Sequence, residues 1–175
     1  MNMKPKIYLI VATDLKGGMG YQGKLPWNLP GDMKFFQKTT IQTDNIQFRN
    51  MAVMGRVTWD SIPDKHRPLQ GRKNVVITRN KDFKAPEGVT VAHSIEEAMK
   101  AVDDRVADVF VIGGAKIFDQ FMKKRKIDGI YLTRIKKEYR CDTHFPKIPK
   151  AFKPEKLGEG QDGDVKYEYL LYKKK

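Results

Sequence analysis

The sequence predicts a single α/β domain built around a mostly parallel sheet. Short apolar, β-branched stretches alternate with helical stretches along most of the chain, which is typical of this fold class. The 175 residues, 40% of them hydrophobic, are enough for one substantial core. Near the C-terminus, two strand-like stretches flank a turn-rich segment, which predicts a hairpin and an antiparallel edge. We therefore expect a central eight-stranded sheet flanked by about four helices.

The strand predictions rest on short apolar runs. Ile7 to Thr13 is continuously apolar and β-branched, as in a central parallel strand covered on both faces. The other predicted strands are residues 51–54, 74–78, 89–92, 108–112, 129–135, 156–158 and 165–172. Residues 142–146 lack such a pattern and are expected to be irregular.

The helix predictions rest on terminal signals. The first helix is expected at about residues 30–40, because Pro30 suits a first helical turn. Ser94 and Glu97 have the spacing of a capping box and predict another helix start. A short helix is expected after Gly55, and another helix after the Gly113-Gly114 pair.

Composition narrows the functional classes. Cys141 is the sole cysteine, so an internal disulfide is excluded, and no Cys/His cluster has metal-ligand spacing. The apolar run near the N-terminus stops at Thr13, too early for a membrane span. We therefore expect a cytoplasmic protein with no metal and no membrane segment.

The formal net charge of +13 is large, and the basic clusters lie at 123–126, 134–140 and 173–175. Aromatic residues do not interleave with these clusters as a base-stacking surface would require. A solvated basic exterior and the steering of anionic small molecules both fit this pattern. Binding to nucleic acid is the alternative from another functional class.

Asp32 stands out because its neighbours in the sequence are largely apolar. On a helix, Asp32 and Phe36 share one face, and Trp27 and Leu29 precede them. A buried carboxylate costs several kcal/mol unless donors satisfy it. A heterocycle with adjacent ring N–H and amine groups would supply two parallel donors. The alternative is an exposed charge that the helix dipole favours.

Three predicted strands end in residues suited to anions. These endings are Gly55-Arg56-Val57-Thr58, Thr78-Arg79 and Gly113-Gly114-Ala115-Lys116. Backbone N–H groups at a helix start can hold a pyrophosphate, and guanidinium groups suit a phosphate monoester such as the 2′-phosphate of NADP. The G-x-G-x-x-G fingerprint is absent from the sequence.

The segment from Leu25 to Phe36, Leu-Pro-Trp-Asn-Leu-Pro-Gly-Asp-Met-Lys-Phe-Phe, resembles the substrate loop and first helix of dihydrofolate reductases. The three strand endings resemble the cofactor fingerprint of the same family. Further matches are Gly71-Arg72-Lys73-Asn74, Tyr131-Leu132-Thr133 and Asp142-Thr143-His144-Phe145-Pro146. The resemblance spans residues 7 to about 172. It implies one dihydrofolate reductase domain over 1–175, with an adenosine-binding subdomain at about 50–106 and a loop subdomain in the remainder.

The resemblance also implies site residues. The catalytic residues would be Asp32, Leu25 and Trp27. The substrate-binding residues would be Ile10, Ala12, Asp32, Met33, Phe36, Ile62, Leu69, Arg72, Ile112 and Thr133, with Arg72 clamping the glutamate α-carboxylate of folate. The cofactor-binding residues would be Ala12, Thr13, Met19, Gly20, Gly55, Arg56, Val57, Thr58, Thr78, Arg79, Gly113, Gly114, Ala115, Lys116, Ile117, Phe118 and Thr143. Phe118 stands where many members carry a tyrosine.

The implied reaction is the reduction of 7,8-dihydrofolate to 5,6,7,8-tetrahydrofolate. NADPH would supply a hydride to pterin C6, and a water would protonate N5. The resemblance implies a monomer with a small-molecule substrate and no nucleic-acid partner. A related NADPH-dependent pyrimidine reductase of the same fold is the alternative enzyme, and a basic nucleic-acid-binding protein is the alternative outside enzymes.

Overall fold

The computed structural model describes residues 3–175, and an eight-stranded sheet forms its centre. The described residues form ten strands in all, eight in this sheet and two in a small separate one. In chain order they are β1 (Ile7–Thr13), β2 (Gly18–Gly20), β3 (Arg49–Gly55), β4 (Lys73–Ile77), β5 (Val89–Ala92), β6 (Val106–Gly113), β7 (Gly129–Ile135), β8 (Thr143–His144), β9 (Phe152–Asp162) and β10 (Val165–Lys174). The strand order in the large sheet is β5-β4-β3-β6-β1-β7-β10-β9, and β2 pairs with β8 separately.

The sheet is parallel except for one strand. β1 pairs in parallel with β6 on one side and β7 on the other, and β3 to β5 continue the parallel arrangement. β10 is antiparallel to both of its neighbours, β7 and β9. The predicted eight-stranded, mostly parallel sheet with an antiparallel C-terminal edge is confirmed.

Four α-helices flank the sheet among the described residues: α1 (Pro30–Ile41), α2 (Arg56–Ser61), α3 (Ile95–Met99) and α4 (Ala115–Lys124). A short 3₁₀ turn covers Asp64–His66. The predicted cap of α3 forms, since Ser94 Oγ accepts from the Glu97 N–H at 3.0 Å. The Glu97 carboxylate reaches the N–H of His93 rather than that of Ser94, one residue earlier than in a standard capping box.

Three strands, β9, β8 and β2, differ from the sequence predictions, and β2 was not predicted at all. β9 runs from Phe152 rather than from 156, although most of its side chains are exposed and Pro154 lies within it. The outer position in the sheet explains both features, since an edge strand needs neither an apolar face nor every N–H group. Thr143 and His144, expected to be irregular, form β8 by pairing with β2.

The sheet carries apolar clusters on both of its faces. The larger cluster includes the fully buried Leu9, Val53, Val111, Phe118 and Phe121. Smaller clusters form around Trp59 and around Trp27. The second of these packs Trp27 and Leu29 against Ile135 and Tyr167, which fixes the chain just before α1.

Within residues 3–175, no helix combines the length and apolar character that a membrane crossing would need. The same residues contain no group of three or more His, Cys, Asp or Glu side chains arranged to hold a metal ion.

Candidate active site

A cleft of about 460 Å³ opens near the carboxyl ends of β1 and β6, where parallel α/β sheets usually bind ligands. Its lining is mostly apolar. The residues lining it are Ile10, Val11, Ala12, Met19, Lys24, Leu25, Asp32, Met33, Phe35, Phe36, Thr58, Ser61, Ile62, Pro63, His66, Leu69, Ile112 and Thr133. Every predicted substrate-binding residue except Arg72 is among them.

Asp32 lies in the first turn of α1 and contributes its carboxylate to this apolar cleft. Its residue surface is 8% exposed, so most of the side chain is out of water. Burial raises the pKa of the Asp32 carboxyl group, a hydrogen bond from Thr133 works against this, and the charge of Asp162 raises it further. The carboxylate is therefore poorly solvated and lacks a counter-ion among the described residues.

Trp27 and Leu25, two of the predicted catalytic residues, differ in their exposure. Leu25 is 54% exposed and lines the mouth of the cleft. Trp27 is buried against Tyr139, with ring centroids 5.3 Å apart in an edge-on arrangement. Its indole Nε1 is buried and meets no acceptor among residues 3–175. A buried donor without an acceptor is costly, and such a group often serves a ligand or a water.

Arg72 is a buried cation whose guanidinium carbon lies 6.0 Å from the ring centroid of the cleft residue Phe36. The residue is 8% exposed, and burial lowers the pKa of its guanidinium group. Its Nε donates to the Gln70 carbonyl at 2.9 Å, and Nη1 donates to Thr40 Oγ1 at 3.0 Å. Neither of these acceptors is charged. The remaining guanidinium donors match the geometry of a carboxylate.

The loop from Asp14 to Leu25 covers one side of the cleft. Hydrogen bonds from its backbone N–H groups to two aspartate side chains hold it in place. Asp14 is 3% exposed, and its Oδ1 accepts from the N–H groups of Lys16 and Gly18 at 2.8 Å each. Farther along, the Gln22 N–H donates to Asp142 Oδ2 at 2.9 Å. The loop residues that line the cleft, Met19, Lys24 and Leu25, are positioned by these contacts.

The ends of β3 and β6 approach each other closely. A Cβ atom at Gly55 would lie 3.8 Å from the Gly113 oxygen and from the Gly114 nitrogen. Gly113 has φ +138°, and a Cβ there would lie 2.9 Å from Thr58 Oγ1. The peptide bond between Gly113 and Gly114 is cis. A Cβ at Gly55 would also lie 3.0 Å from Ile117 Cγ1, so both ends are closely packed and leave no room for a side chain.

The two predicted phosphate-binding arginines follow neighbouring strands. Gly55 pairs with Ile77 in the register of β3 and β4, so Arg56 and Arg79 start from adjacent strand ends. Arg56 Nε contacts both Asp60 oxygens at 3.0 and 3.1 Å, and its guanidinium lies 4.1 Å from the Phe83 ring centroid. Arg79 is exposed. The structure thus brings both cations to one corner of the sheet.

Other predicted cofactor residues lie at different depths. Val57 and Lys116 are exposed, whereas Thr13, Thr78 and Ile117 are buried. Thr143 lies in β8, where its hydroxyl donates to Asp142 at 2.9 Å. Of the predicted cofactor residues, only Ala12, Met19 and Thr58 line the cleft.

Phe118, one of the predicted cofactor residues, has 0% exposure and packs edge-on against Phe145, with ring centroids 5.0 Å apart. In this conformation its ring offers no surface to a ligand. The cause is the turn of α4, which points Phe118 into the core with Phe121.

Several cleft residues were not identified from the sequence. These are Val11, Lys24, Phe35, Ser61, Pro63 and His66. Val11 and Phe35 are neighbours of predicted residues on β1 and α1, so proximity to Ile10 and Phe36 was the available signal. Asp162, at the end of β9, also influences Asp32. No local sequence pattern indicates this role, because Asp162 contacts Gly31 across 131 residues of sequence.

Comparison with known proteins agrees with this geometry. The family model described as dihydrofolate reductase matches residues 6–174. The chain belongs to the dihydrofolate reductase family. It is 40% identical over 180 residues to the dihydrofolate reductase of Heliothis virescens, covering 97% of each chain. It is 33% identical to that of Drosophila melanogaster, covering 95% of this chain and 96% of the relative.

A solved structure, the dihydrofolate reductase of Schistosoma mansoni, has a TM-score of 0.86 and 30% identity. The match covers 99% of this chain and 100% of that chain. The dihydrofolate reductase fold predicted from the sequence is thereby confirmed.

Proposed function

We propose that this chain catalyses the NADPH-dependent reduction of 7,8-dihydrofolate to 5,6,7,8-tetrahydrofolate. Membership of the dihydrofolate reductase family supports this reaction. The observation that carries the proposal within the structure is Asp32, a carboxylate 8% exposed in an apolar cleft, to which no cation among residues 3–175 is paired. A ligand with paired N–H donors satisfies such a group, and a pterin has them.

The cleft suits the remaining parts of a folate. Ile10, Phe36 and Ile112 offer apolar surface to flat rings. Ile62 and Leu69 continue that surface along the cleft. Arg72 would hold the glutamate α-carboxylate, because a buried guanidinium that meets no charged partner in the described part of the chain gains most from an anion.

The residues at the end of the sheet fit NADPH. Gly55 and Gly113 lie in close-packed backbone at the ends of β3 and β6, where a Cβ would collide with Ile117 or Thr58. Gly113, Gly114, Ala115 and Lys116 would hold the pyrophosphate at the start of α4. Arg56, Thr78 and Arg79 would hold the 2′-phosphate. When bound, NADPH supplies the hydride.

The protein's own residues then bind and orient the pterin, and they exclude bulk water from the cleft. Asp32 in its ionised form holds the pyrimidine edge of the pterin and favours a proton at N5. A water delivers that proton, and Trp27 Nε1, a buried donor with no acceptor within residues 3–175, is available to hold it. Leu25, exposed at the cleft mouth, excludes bulk solvent once substrate is present.

The proposal also covers the oligomeric state and the cellular location of the protein. The chain would act as a monomer in the cytoplasm, without a metal or a nucleic-acid partner. Its single, half-buried free thiol, Cys141, supports a reducing compartment. Size-exclusion chromatography with light scattering tests the monomer directly.

A spectrophotometric assay tests the reaction. NADPH oxidation by the wild type should require dihydrofolate and should be much slower with NADH. Asp32→Ala should lose most of this activity, whereas Asp104→Ala, at an exposed turn before β6, should keep it. Greater activity on a ribosylamino-pyrimidine than on dihydrofolate would overturn the assignment of substrate.

A further inference from the structure

The hairpin of β9 and β10 holds the first turn of α1. Asp162, the last residue of β9, accepts two hydrogen bonds on a single oxygen. The Gly31 N–H donates to its Oδ2 at 3.0 Å, and the Tyr167 hydroxyl donates to the same oxygen at 2.8 Å. Gly31 immediately precedes Asp32, so the hairpin fixes the backbone on which the site carboxylate stands.

Other contacts leave Gly31 little freedom. The Tyr169 hydroxyl donates to the Gly31 carbonyl at 3.4 Å, and the Tyr169 ring stacks on Phe35 at 3.8 Å with an interplanar angle of 13°. A Cβ at Gly31 would lie 3.1 Å from Asp162 Oδ2 and still closer to the Tyr167 hydroxyl oxygen. The fit between the hairpin and α1 is therefore tight on the side facing Asp32.

The titratable groups around Asp32 come from several elements. Burial raises the pKa of the Tyr169 hydroxyl group in β10, and the charges of Asp32 and Asp162 also raise it. Lys24, from the loop after β2, and His66, from the 3₁₀ turn, line the same cleft. Thr133 of β7 donates towards Asp32, and after burial and this hydrogen bond the charge of Asp162 is the remaining influence on the pKa of Asp32.

We propose that Asp162 is a positioning residue for Asp32. Its hydrogen bond to Gly31 fixes the turn that carries Asp32, and its negative charge acts on the Asp32 carboxylate. The consequence for turnover rests on the proposed function, but the electrostatic effect does not. Asp162 is not among the residues that line the cleft, so it works through Gly31 and Asp32.

The shared oxygen allows the two effects to be separated. In Asp162→Asn, the amide oxygen can occupy the place of Oδ2 and accept both hydrogen bonds, so that only the charge is lost. Asp162→Ala loses the charge and both bonds. Asp164→Asn is the matched control, because Asp164 is exposed in the same hairpin turn and changes the net charge equally.

An NMR titration of the ligand-free protein tests the charge effect without any substrate. Carboxyl ¹³C signals of aspartate are followed against pH, and the Asp32 signal is assigned from its loss in Asp32→Asn. The midpoint for Asp32 should move to lower pH in Asp162→Asn, because removing a nearby negative charge favours ionisation. It should stay in place in Asp164→Asn. An unchanged midpoint in Asp162→Asn overturns the proposal.

Kinetics test the consequence for the reaction. The acid limb of the pH profile for dihydrofolate reduction should move to lower pH in Asp162→Asn, with KM close to wild type. Asp162→Ala should also raise KM for dihydrofolate several-fold, because the turn is no longer held. If both variants left the profile and KM unchanged, positioning by Asp162 would be refuted. If the NMR midpoint moved while no variant, nor the wild type, reduced dihydrofolate, the proposed function would fail and the role of Asp162 would stand.

Discussion

The N–H of Tyr139 donates to Asp14 Oδ2 at 3.0 Å across 125 residues of sequence. This bond ties the loop beside the cleft to the segment that follows β7. Burial raises the pKa of Asp14, but the N–H donors of Tyr139, Gly18 and Lys16 lower it more, so the net pKa lies below its ordinary value. Asp14 is therefore an ionised anchor for the loop.

We expect Asp14→Asn to lower the free energy of unfolding by about 1–3 kcal/mol at neutral pH. Its amide nitrogen would face backbone donors that need an acceptor. Because the folded-state pKa of Asp14 is lowered, its contribution is present above the unfolded-state pKa and is lost as pH falls through the folded-state pKa. Urea unfolding at neutral and acid pH measures this. A gap between variant and wild type that does not shrink in acid would contradict it.

Asp32→Asn should show the opposite pH dependence. The pKa of Asp32 is raised, so the wild type loses stability as pH rises through its folded-state pKa, whereas the variant does not. The ligand-free variant should be more stable by about 1 kcal/mol at neutral pH. Turnover should fall at least about a hundredfold, since the group that orients the pterin is uncharged. Equal turnover at neutral pH would rule out the proposed role.

Arg72→Leu should separate substrate affinity from stability. Charge-assisted hydrogen bonds contribute about 1.5–3 kcal/mol, so KM for dihydrofolate should rise about ten- to a hundredfold. The free energy of unfolding should fall by no more than about 1 kcal/mol, because a buried cation with no charged partner among residues 3–175 is replaced by an apolar side chain. KM for NADPH should not change.

Dihydropteroate, which lacks the glutamate tail, provides the control for this variant. Wild type and Arg72→Leu should bind dihydropteroate equally well. A comparable loss with both substrates would show that Arg72 acts by supporting the cleft rather than by holding a carboxylate.

Gly113→Ala should weaken NADPH binding and stability together. The substitution adds a Cβ 2.9 Å from Thr58 Oγ1 at a residue with φ +138°. Gly163→Ala is the matched control, because Gly163 also has positive φ, +59°, but has open space around it. The control should lose about 1 kcal/mol from backbone strain alone, and Gly113→Ala should lose more. Urea unfolding and quenching of Trp fluorescence by NADPH measure the two effects. Equal losses in both variants, with normal NADPH affinity, would contradict the proposed role of Gly113 in holding the cofactor.

Local sequence signals predicted the fold well where one face or both faces of an element are buried. β1 and β7 were predicted with their observed bounds because their apolar runs match their burial. β9 was predicted too short because its exposed edge position leaves no apolar pattern. β8 forms only through its pairing with β2, which no local signal indicates. The subdomain boundaries at about 50–106 stay a prediction.

The site was predictable where its residues belong to short motifs. Asp32, Phe36 and the strand endings fall in such motifs, and the structure brings Asp32 and Phe36 into one cleft. Long-range contacts explain what was missed. Asp162 and Asp14 act through backbone N–H groups of distant segments, and a carboxylate in a turn looks the same in the sequence whether it is solvated or anchored.

The edge position of β9 has a consequence for local fluctuations at the site. Asp162 reaches α1 from the outermost strand, and its partner strand β10 connects it to the rest of the sheet. Edge strands open at lower free energy than central ones, so local detachment of this hairpin would precede global unfolding. Each such excursion frees the Gly31 amide and briefly alters the surroundings of Asp32. Deuterium uptake at Gly31 would then track the fluctuations of the hairpin rather than those of the core.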